Sequence, residues 1–152
     1  MITYNKLLNI FQQISDNHQM IQKFGTGEIS DMNIFEGTKF PIMWVTPQNF
    51  VLKDQTLDYV VRVFIFDILQ KSNSNETELI SDTLQIISDV IKVFKNENSG
   101  IYIDGDVEII PFTKHLTDYT TGVYADLTIE VGYDSNNYCD VKSLLENIDI
   151  VI

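Results

Sequence analysis

The segment Asp58-Tyr59-Val60-Val61-Arg62-Val63-Phe64-Ile65-Phe66-Asp67-Ile68-Leu69, residues 58–69, is the clearest strand of the chain. Its β-branched and aromatic residues favour extended backbone, and both alternating faces are apolar apart from Arg62 and Asp67. A strand with two apolar faces needs a cover on each side, and one helical layer covers only one face of a small antiparallel sheet. The second face therefore needs more chain or another subunit, which is the first indication of oligomerisation.

Two amphipathic helices are predicted, one before and one after this strand. Apolar side chains recur at three- and four-residue spacing from residue 3 to residue 20 or 22. Gly25-Thr26-Gly27 is expected to stop this helix, because glycine readily adopts the left-handed conformation that follows a helix C-terminus. The second helix is expected to begin at Asn75, an N-cap residue type followed three residues later by Glu78, and to end at residues 95–100.

Three further strands are predicted. Residues 40–46 form a short strand in which Pro41 indicates a strand start or an edge, residues 107–112 form another, and residues 123–133 alternate strictly between apolar and polar. Residues 28–39 and 114–122 are expected to be loops, the latter a long hairpin connection.

This order predicts an α+β fold, with an antiparallel sheet of about four strands and two helices packed on one face, in the order α-β-β-α-β-β. Residues 1–133 are expected to form a single domain, and residues 134–152 a C-terminal tail of the same domain with a short helix around residues 141–146. A length of 152 residues with 44% hydrophobic residues fits one domain with one sizeable core.

The charge of the chain argues against several function classes. Ten Lys and Arg residues against 22 Asp and Glu residues give a formal net charge of −12, which disfavours binding to phosphate backbones through a basic patch and to anionic membrane surfaces. The single cysteine, Cys139, excludes an internal disulfide, and the N-terminus lacks the features of a signal peptide. We expect a protein that is made and used without crossing a membrane.

Residues capable of catalysis are scarce. His18 lies on the apolar stripe of the first helix, where a histidine at the core edge is a better interpretation than a general base. The Asp104-Gly105-Asp106 sequence with Glu108 resembles a calcium loop, but its spacing fails the twelve-residue pattern and Asp-Gly is a common turn before a strand. Trp44 is expected in the core or an interface. The sequence therefore predicts no enzyme activity, no catalytic or metal site and no cofactor.

Three stretches carry a resemblance to a known family: Phe40-Pro41-Ile42-Met43-Trp44-Val45, then Val63-Phe64-Ile65-Phe66-Asp67-Ile68-Leu69, then Glu78-Leu79-Ile80-Ser81-Asp82-Thr83-Leu84-Gln85-Ile86-Ile87-Ser88-Asp89-Val90. In layout, over about residues 3–133, the chain resembles the tail-terminator or tail-completion proteins of tailed bacteriophages and the related neck and ring proteins. The resemblance is one of organisation rather than of a signature motif.

The resemblance implies a structural virion protein. Its homo-oligomeric ring, usually a hexamer, would cap the tail tube and join it to the head connector around a channel through which DNA passes without specific binding. Implied partners are further copies of the chain and other neck, connector or tail-tube proteins, in a virion assembled in the host cytoplasm.

In such a ring, sheet edges and the loop at residues 114–122 are natural places for subunit contacts. The candidate contact residues are Lys114, His115 and Tyr119 in the loop, and Ile148 and Ile150 in the apolar terminal segment.

Two alternatives from other classes remain open. An acidic inhibitor that mimics DNA would need carboxylates in rows along one face, whereas the acidic residues here are dispersed along the chain. A small-molecule hydrolase or transferase would need a pocket with clustered polar groups, and the sequence shows no such cluster.

Overall fold

The computed structural model describes residues 2–32, 37–70, 74–95, 100–113 and 119–132. The predicted tail helix around residues 141–146 lies outside these ranges. The described elements are α1 (Tyr4–Asn17), β1 (Lys23–Thr26), a 3-10 turn (Ile29–Asp31), β2 (Ile42–Leu52), β3 (Thr56–Ile68), α2 (Glu76–Phe94), β4 (Ile101–Tyr102), β5 (Ile109–Thr113) and β6 (Thr120–Gly132).

The strands form one mixed sheet in the order β1-β2-β3-β6, with β4 and β5 both pairing with the far side of β6. β1 runs parallel to β2, and every other described pair is antiparallel. The α+β class is therefore confirmed, and the strands predicted around residues 40–46, 58–69, 107–112 and 123–133 correspond to β2, β3, β5 and β6. The prediction of a four-stranded, purely antiparallel sheet is only partly right, because the short strands β1 and β4 were missed.

Both helices pack on one face of the sheet, as predicted. Leu7 and Phe11 of α1 and Val90 and Phe94 of α2 are fully buried against it. The rings of Phe11 and Phe94 lie 4.9 Å apart between centroids, which joins the two helices over the same core. Burying a side chain of this size contributes about 1.5 to 3 kcal/mol, so these contacts stabilise the packing of both helices on the sheet.

The first helix ends earlier than its apolar pattern predicts. It stops at Asn17, and the backbone N–H of His18 donates to the carbonyl oxygens of Ile14 and Ser15 at 3.0 and 3.3 Å. Ile21, which continued the helical pattern in sequence, reaches the core from the extended connection to β1. The apolar pattern alone could not show whether Ile21 lies in the helix or after it, because burial of an apolar residue does not require helical backbone.

The prediction that Gly25-Thr26-Gly27 stops a helix is wrong, since Gly25 and Thr26 belong to β1. Gly25 pairs with Trp44 of β2, and a Cβ atom at position 25 would collide with the indole ring. Gly27 follows with φ +106°; its N–H donates to Val45 O at 3.1 Å, and its carbonyl accepts from Trp44 Nε1 at 3.0 Å. The glycines therefore serve the packing of one tryptophan.

The side of the sheet away from the helices, the second face, carries its own buried cluster, which confirms Trp44 as a core residue. Its members are Met32, Ile42, Trp44, Phe64, Phe66 and Phe112, with Ile29, Phe40 and Tyr124 packed against them. The segment between β1 and β2 supplies Ile29, Met32 and Phe40, so the chain covers this end of the second face itself. The apolar second face of β3 therefore does not require another subunit here.

The other end of the second face is polar. Arg62 of β3 donates from Nε and Nη2 to the two carboxylate oxygens of Asp126 on β6 at 2.7 and 3.0 Å. Its guanidinium carbon also lies 4.8 Å from the ring centroid of Tyr124. Bidentate geometry and cation–π contact suit arginine in particular. This end of the sheet can face water without a cover.

The second helix begins at Asn75 as predicted, but not through the predicted side-chain cap. Oδ1 of Asn75 accepts from the backbone N–H of Gln70 at 2.9 Å, and its Nδ2 donates to Ile68 O at 3.4 Å. The side chain therefore ties the start of α2 to the end of β3, and no cap hydrogen bond from it to the helix is formed.

The close pairing of β6 with β3 predicts a specific effect of substitution at Gly122. A Cβ atom there would collide with the carbonyl oxygen of Ile65 and lie 2.7 Å from Cα of Phe66, both of them backbone atoms that cannot move without disturbing the sheet. We expect Gly122→Ala to lower the free energy of unfolding by about 1 to 3 kcal/mol, the usual effect of overpacking.

Urea unfolding followed by circular dichroism measures this change. Gly132→Ala, at the other end of the same strand, is the matched control, because a Cβ atom there meets none of the described residues within 4 Å. Equal midpoints for the two variants would contradict the proposed contact.

Candidate functional site

His18 and Asp89 form a polar pair between the two helices. Nε2 of His18 lies 3.0 Å from Asp89 Oδ2, and Nδ1 accepts from the backbone N–H of Met20 at 3.1 Å. Since Nδ1 accepts, the ring proton of this arrangement lies on Nε2 and is donated to the carboxylate. The pair joins the end of α1 to α2, a structural role that agrees with a histidine at the core edge.

A groove of about 380 Å³ runs beside this pair. Its lining residues are Ile10, Gln13, Ile14, Asn17, His18, Asp89 and Val93. Three of these seven residues are aliphatic and four are polar, and none of them supplies a hydroxyl, thiol or amine nucleophile next to the histidine.

The acidic loop before β5 forms an ordinary turn. Asp104, Asp106 and Glu108 are exposed, Gly105 has φ +76°, and Lys95 Nζ donates to Gly105 O. In the part of the chain that the structure describes, no group of three or more His, Cys, Asp or Glu residues is placed to hold a metal ion. None of the described helices is long and apolar enough to cross a membrane.

Of the candidate contact residues from the sequence, the structure describes Tyr119. Lys114, His115, Ile148 and Ile150 lie outside the described residues. Tyr119 directly precedes β6, which begins at Thr120, so the predicted loop at residues 114–122 is shorter than expected. Its side chain is 55% exposed.

Tyr119 and Ile68 are both exposed at one end of the β3–β6 pair, and these two residues are named the Ile68–Tyr119 patch. Ile68 ends β3, pairs with Thr120 and is 48% exposed. The carbonyl oxygen of Tyr119 accepts from the backbone N–H of Leu69, so both residues are fixed at the same end of the β3–β6 pair. Tyr119 has φ +80°, a conformation that non-glycine residues rarely adopt.

A second exposed apolar surface lies at the opposite end of β3, on the turn-proximal part of the β2–β3 hairpin. Residues 49–57 form this part, the hairpin arm. Phe50, Val51 and Leu52 are 50%, 41% and 65% exposed. β1 pairs with β2 only over residues 42–45, so among the described residues the outer edge of β2 from 46 to 52 has no strand beside it.

The hairpin arm is nevertheless held in place by its base. The ring of Phe50 lies 5.2 Å from that of Tyr4 and 5.4 Å from that of Tyr59, between centroids, while Tyr59 donates its hydroxyl to Ile2 O at 2.8 Å. These contacts fix one side of Phe50 against the N-terminus of α1. The arm is therefore a supported projection of the sheet.

An ion pair fixes the turn of the arm. Lys53 Nζ lies 2.9 Å from Oδ2 of Asp58, which is buried, and 3.8 Å from Glu130 on β6. The hydrogen bond and the negative charge of Asp58 raise the pKa of Lys53 above its ordinary value. The ammonium group of Lys53 therefore pairs with carboxylates of its own sheet.

The outer edge of the arm is uncharged. Residues 40–52 contain no Asp, Glu, Lys or Arg, although such residues make up 21% of the chain. Exposed sheet edges are usually protected by charges or proline, and beyond Pro47 and the register shift between Pro47 and Asn49 this edge has neither. Edge residues 49–52 are consequently suited to contact another polypeptide.

The hairpin arm has only a weak signature in the sequence, and sequence reasoning missed it. Asn49-Phe50-Val51-Leu52-Lys53-Asp54 contains an apolar run directly before a polar turn. Such a run is equally typical of a buried strand, and only the absence of covering chain among the described residues identifies it as surface.

No known protein-family model matches the chain, and no curated protein is significantly similar to it.

Asp67, next to the Ile68–Tyr119 patch, predicts a pH-dependent effect. Burial raises the pKa of its carboxyl group and the charge of Asp82 raises it further, while the N–H of Ile68, donated to Oδ1 at 2.7 Å, acts in the opposite direction. A folded-state pKa above the unfolded value means that folding favours the protonated acid. Stability is therefore lost as the pH rises through the folded-state pKa.

We expect Asp67→Asn to remove this loss, because the amide oxygen can still accept from Ile68 but carries no charge. The variant should gain stability relative to the unsubstituted protein at pH 7 and gain little at pH 3, as measured by urea unfolding across this range. Asp54→Asn, in the exposed hairpin turn, is the control. A difference between variant and parent that does not change with pH would contradict the assignment.

Proposed function

We propose that this chain is a structural virion protein of a tailed bacteriophage that assembles into a ring at the head–tail junction, as a tail terminator or a neck protein around the DNA channel. The observation that carries the proposal is the hairpin arm, whose exposed edge at residues 49–52 is uncharged, on a fold whose buried clusters are otherwise covered by its own chain. The layout of the sequence, which resembles this family, supplies the kind of assembly.

The arm supports an assembly function because its apolar side chains are exposed to water in a monomer, which is unfavourable. Groups of exposed apolar side chains on a soluble domain usually mark an interaction surface. Phe50 and Leu52 lie on one face of the arm and Val51 on the other. Covering the exposed halves of Phe50, Val51 and Leu52 contributes about 1 kcal/mol each, from the usual value for apolar burial. Because the arm is already fixed by Tyr4, Tyr59 and the Lys53–Asp58 pair, little conformational entropy is lost when a partner binds.

The charge of the chain agrees with a DNA channel that does not retain DNA. Each subunit carries a formal charge of −12, and Lys53 and Arg62 are engaged by carboxylates of their own chain. Cations held in this way offer little to phosphate groups, and carboxylates facing the channel would repel them. DNA would then pass through the ring without specific binding.

A ring at the head–tail junction also implies the partners of the chain and its site of action. Its partners are further copies of the chain and the neighbouring neck, connector or tail-tube proteins. The site of action is the virion, after assembly in the host cytoplasm. The ring carries no catalytic activity and needs no cofactor.

The acidic DNA-mimic inhibitor is a less well supported alternative. Such a mimic needs free carboxylates in rows, whereas Asp58, Glu130 and Asp126 on the second face are paired with Lys53 and Arg62. Neutralised carboxylates do not imitate phosphates. An inhibitor also gives no reason for an exposed, uncharged sheet edge at residues 49–52.

Mass and shape in solution test the proposal. Light scattering behind size exclusion is expected to give six or more times the subunit mass of 17.5 kDa, and negative-stain images are expected to show a ring with a central hole. Antibodies against the chain should label purified virions at the head–tail junction.

The contrary result is a monomer at every concentration, without labelling of virions, that competes with DNA for a nucleic-acid-binding protein. That result would replace the ring proposal by the inhibitor. Raising the ionic strength serves as a control, because an apolar interface should persist in salt that weakens contacts between exposed charges.

A further inference from the structure

We infer that the ring closes head to tail, with the hairpin arm of one copy docked on the Ile68–Tyr119 patch of the next copy. This inference rests on the proposed ring and names its interface. The two surfaces are described by the structure, and each is exposed on the isolated chain.

Symmetry requires two different surfaces on each subunit. In a closed ring of more than two identical copies, every copy contacts one neighbour with one surface and the other neighbour with another. A surface that pairs with itself gives only a two-fold dimer. A ring of this chain therefore needs two apolar surfaces that do not overlap.

The arm and the patch meet this condition. β3 and β6 pair without a register shift from Thr56 opposite Gly132 to Ile68 opposite Thr120. At a rise of about 3.3 Å per residue, these 13-residue strands separate the two surfaces by about 40 Å. One subunit can consequently engage both neighbours at once.

The backbone of Tyr119 is held in place while its ring is exposed, which suits contact with a neighbouring subunit. Its positive φ is unfavourable for a side chain with a Cβ atom, yet the hydrogen bond from Leu69 N–H and the pairing of Thr120 with Ile68 hold it there. The exposed ring gains little from its own chain in return. Tyrosine is among the residues that contribute most to protein–protein contacts, because it combines a large apolar area with few rotatable bonds.

Charge favours a second copy as the occupant. Two copies that each carry −12 repel one another, so a contact between them must avoid acidic groups. The arm edge at residues 49–52 is uncharged, and Lys53 beside it is paired with Asp58. The exposed carboxylate of the arm, Asp54, lies in the turn beyond this edge. Ile68 and Tyr119 are also uncharged, and strand alternation turns Asp67 to the opposite face from Ile68.

Disulfide trapping tests this pairing in the full chain. In a Cys139→Ser background, the double variant Leu52→Cys/Tyr119→Cys should, after mild oxidation, give a ladder of linked subunits up to the complete ring on a non-reducing gel. Each single variant should remain unlinked, because head-to-tail pairing never brings two identical positions together. The matched control Leu52→Cys/Leu84→Cys, with the second cysteine on exposed α2, should give no ladder.

Different results of these experiments would overturn the proposed interface and the proposed ring. A ring by mass without a ladder overturns the docking assigned here and leaves the proposed function standing. A dimer from Leu52→Cys alone also overturns it, because this is the product of two-fold pairing between arms. Absence of a ring in the unsubstituted protein and in virions removes the proposed function, and the inference with it.

Substitution of Tyr119 by glycine supplies a second test that does not damage the fold. Glycine adopts positive φ freely, so Tyr119→Gly should unfold at the same or a higher urea concentration. The same variant should weaken ring assembly at least tenfold, measured as the concentration at which the ring dissociates. Unchanged assembly would overturn the role of Tyr119, and Leu84→Gln, which changes an exposed apolar residue outside both surfaces, is the control for assembly.

Discussion

The pairing of β3 with β6 is the constraint on which the rest of the structure depends. The two strands match each other residue for residue over their full lengths, and both bury alternate side chains under the helices. Every other strand is attached to one of them, β2 and through it β1 to β3, and β4 and β5 to β6. The length of this pair also determines how far apart its two ends lie, and with them the exposed surfaces.

The two faces of the sheet are covered in different ways. On one face, two amphipathic helices cover a continuous aliphatic core. On the second face, the chain between β1 and β2 covers an aromatic cluster around Trp44 and Phe66, and the remainder is polar around the Arg62–Asp126 pair. Of the eight large apolar residues that are exposed among the described ones, five lie on the hairpin arm and the Ile68–Tyr119 patch, and Met20, Leu84 and Val93 lie in or beside the helices.

The residues that stabilise the fold differ from the residues that form the surfaces proposed for assembly. The residues that hold the fold are buried within one chain, whereas the arm and the patch contribute little to it in isolation. In the proposed ring, a subunit of this kind would fold first and assemble afterwards. The large negative charge would keep copies apart except where uncharged surfaces meet, and would so give specificity to the proposed contact.

The sequence by itself determined the α+β class, the two amphipathic helices and the positions of β3, β5, β6 and the first part of β2, because alternation and helical periodicity are local properties. It also identified Tyr119 as a candidate contact residue, and left the exposed arm unnoticed. Only the tertiary structure decided that Gly25 belongs to a strand beside Trp44, that the side chain of Asn75 bonds back to Gln70 instead of capping its helix, and that Phe50, Val51 and Leu52 remain exposed. These outcomes depend on which distant segments reach a residue, and an apolar run has the same local pattern whether another part of the chain covers it or not.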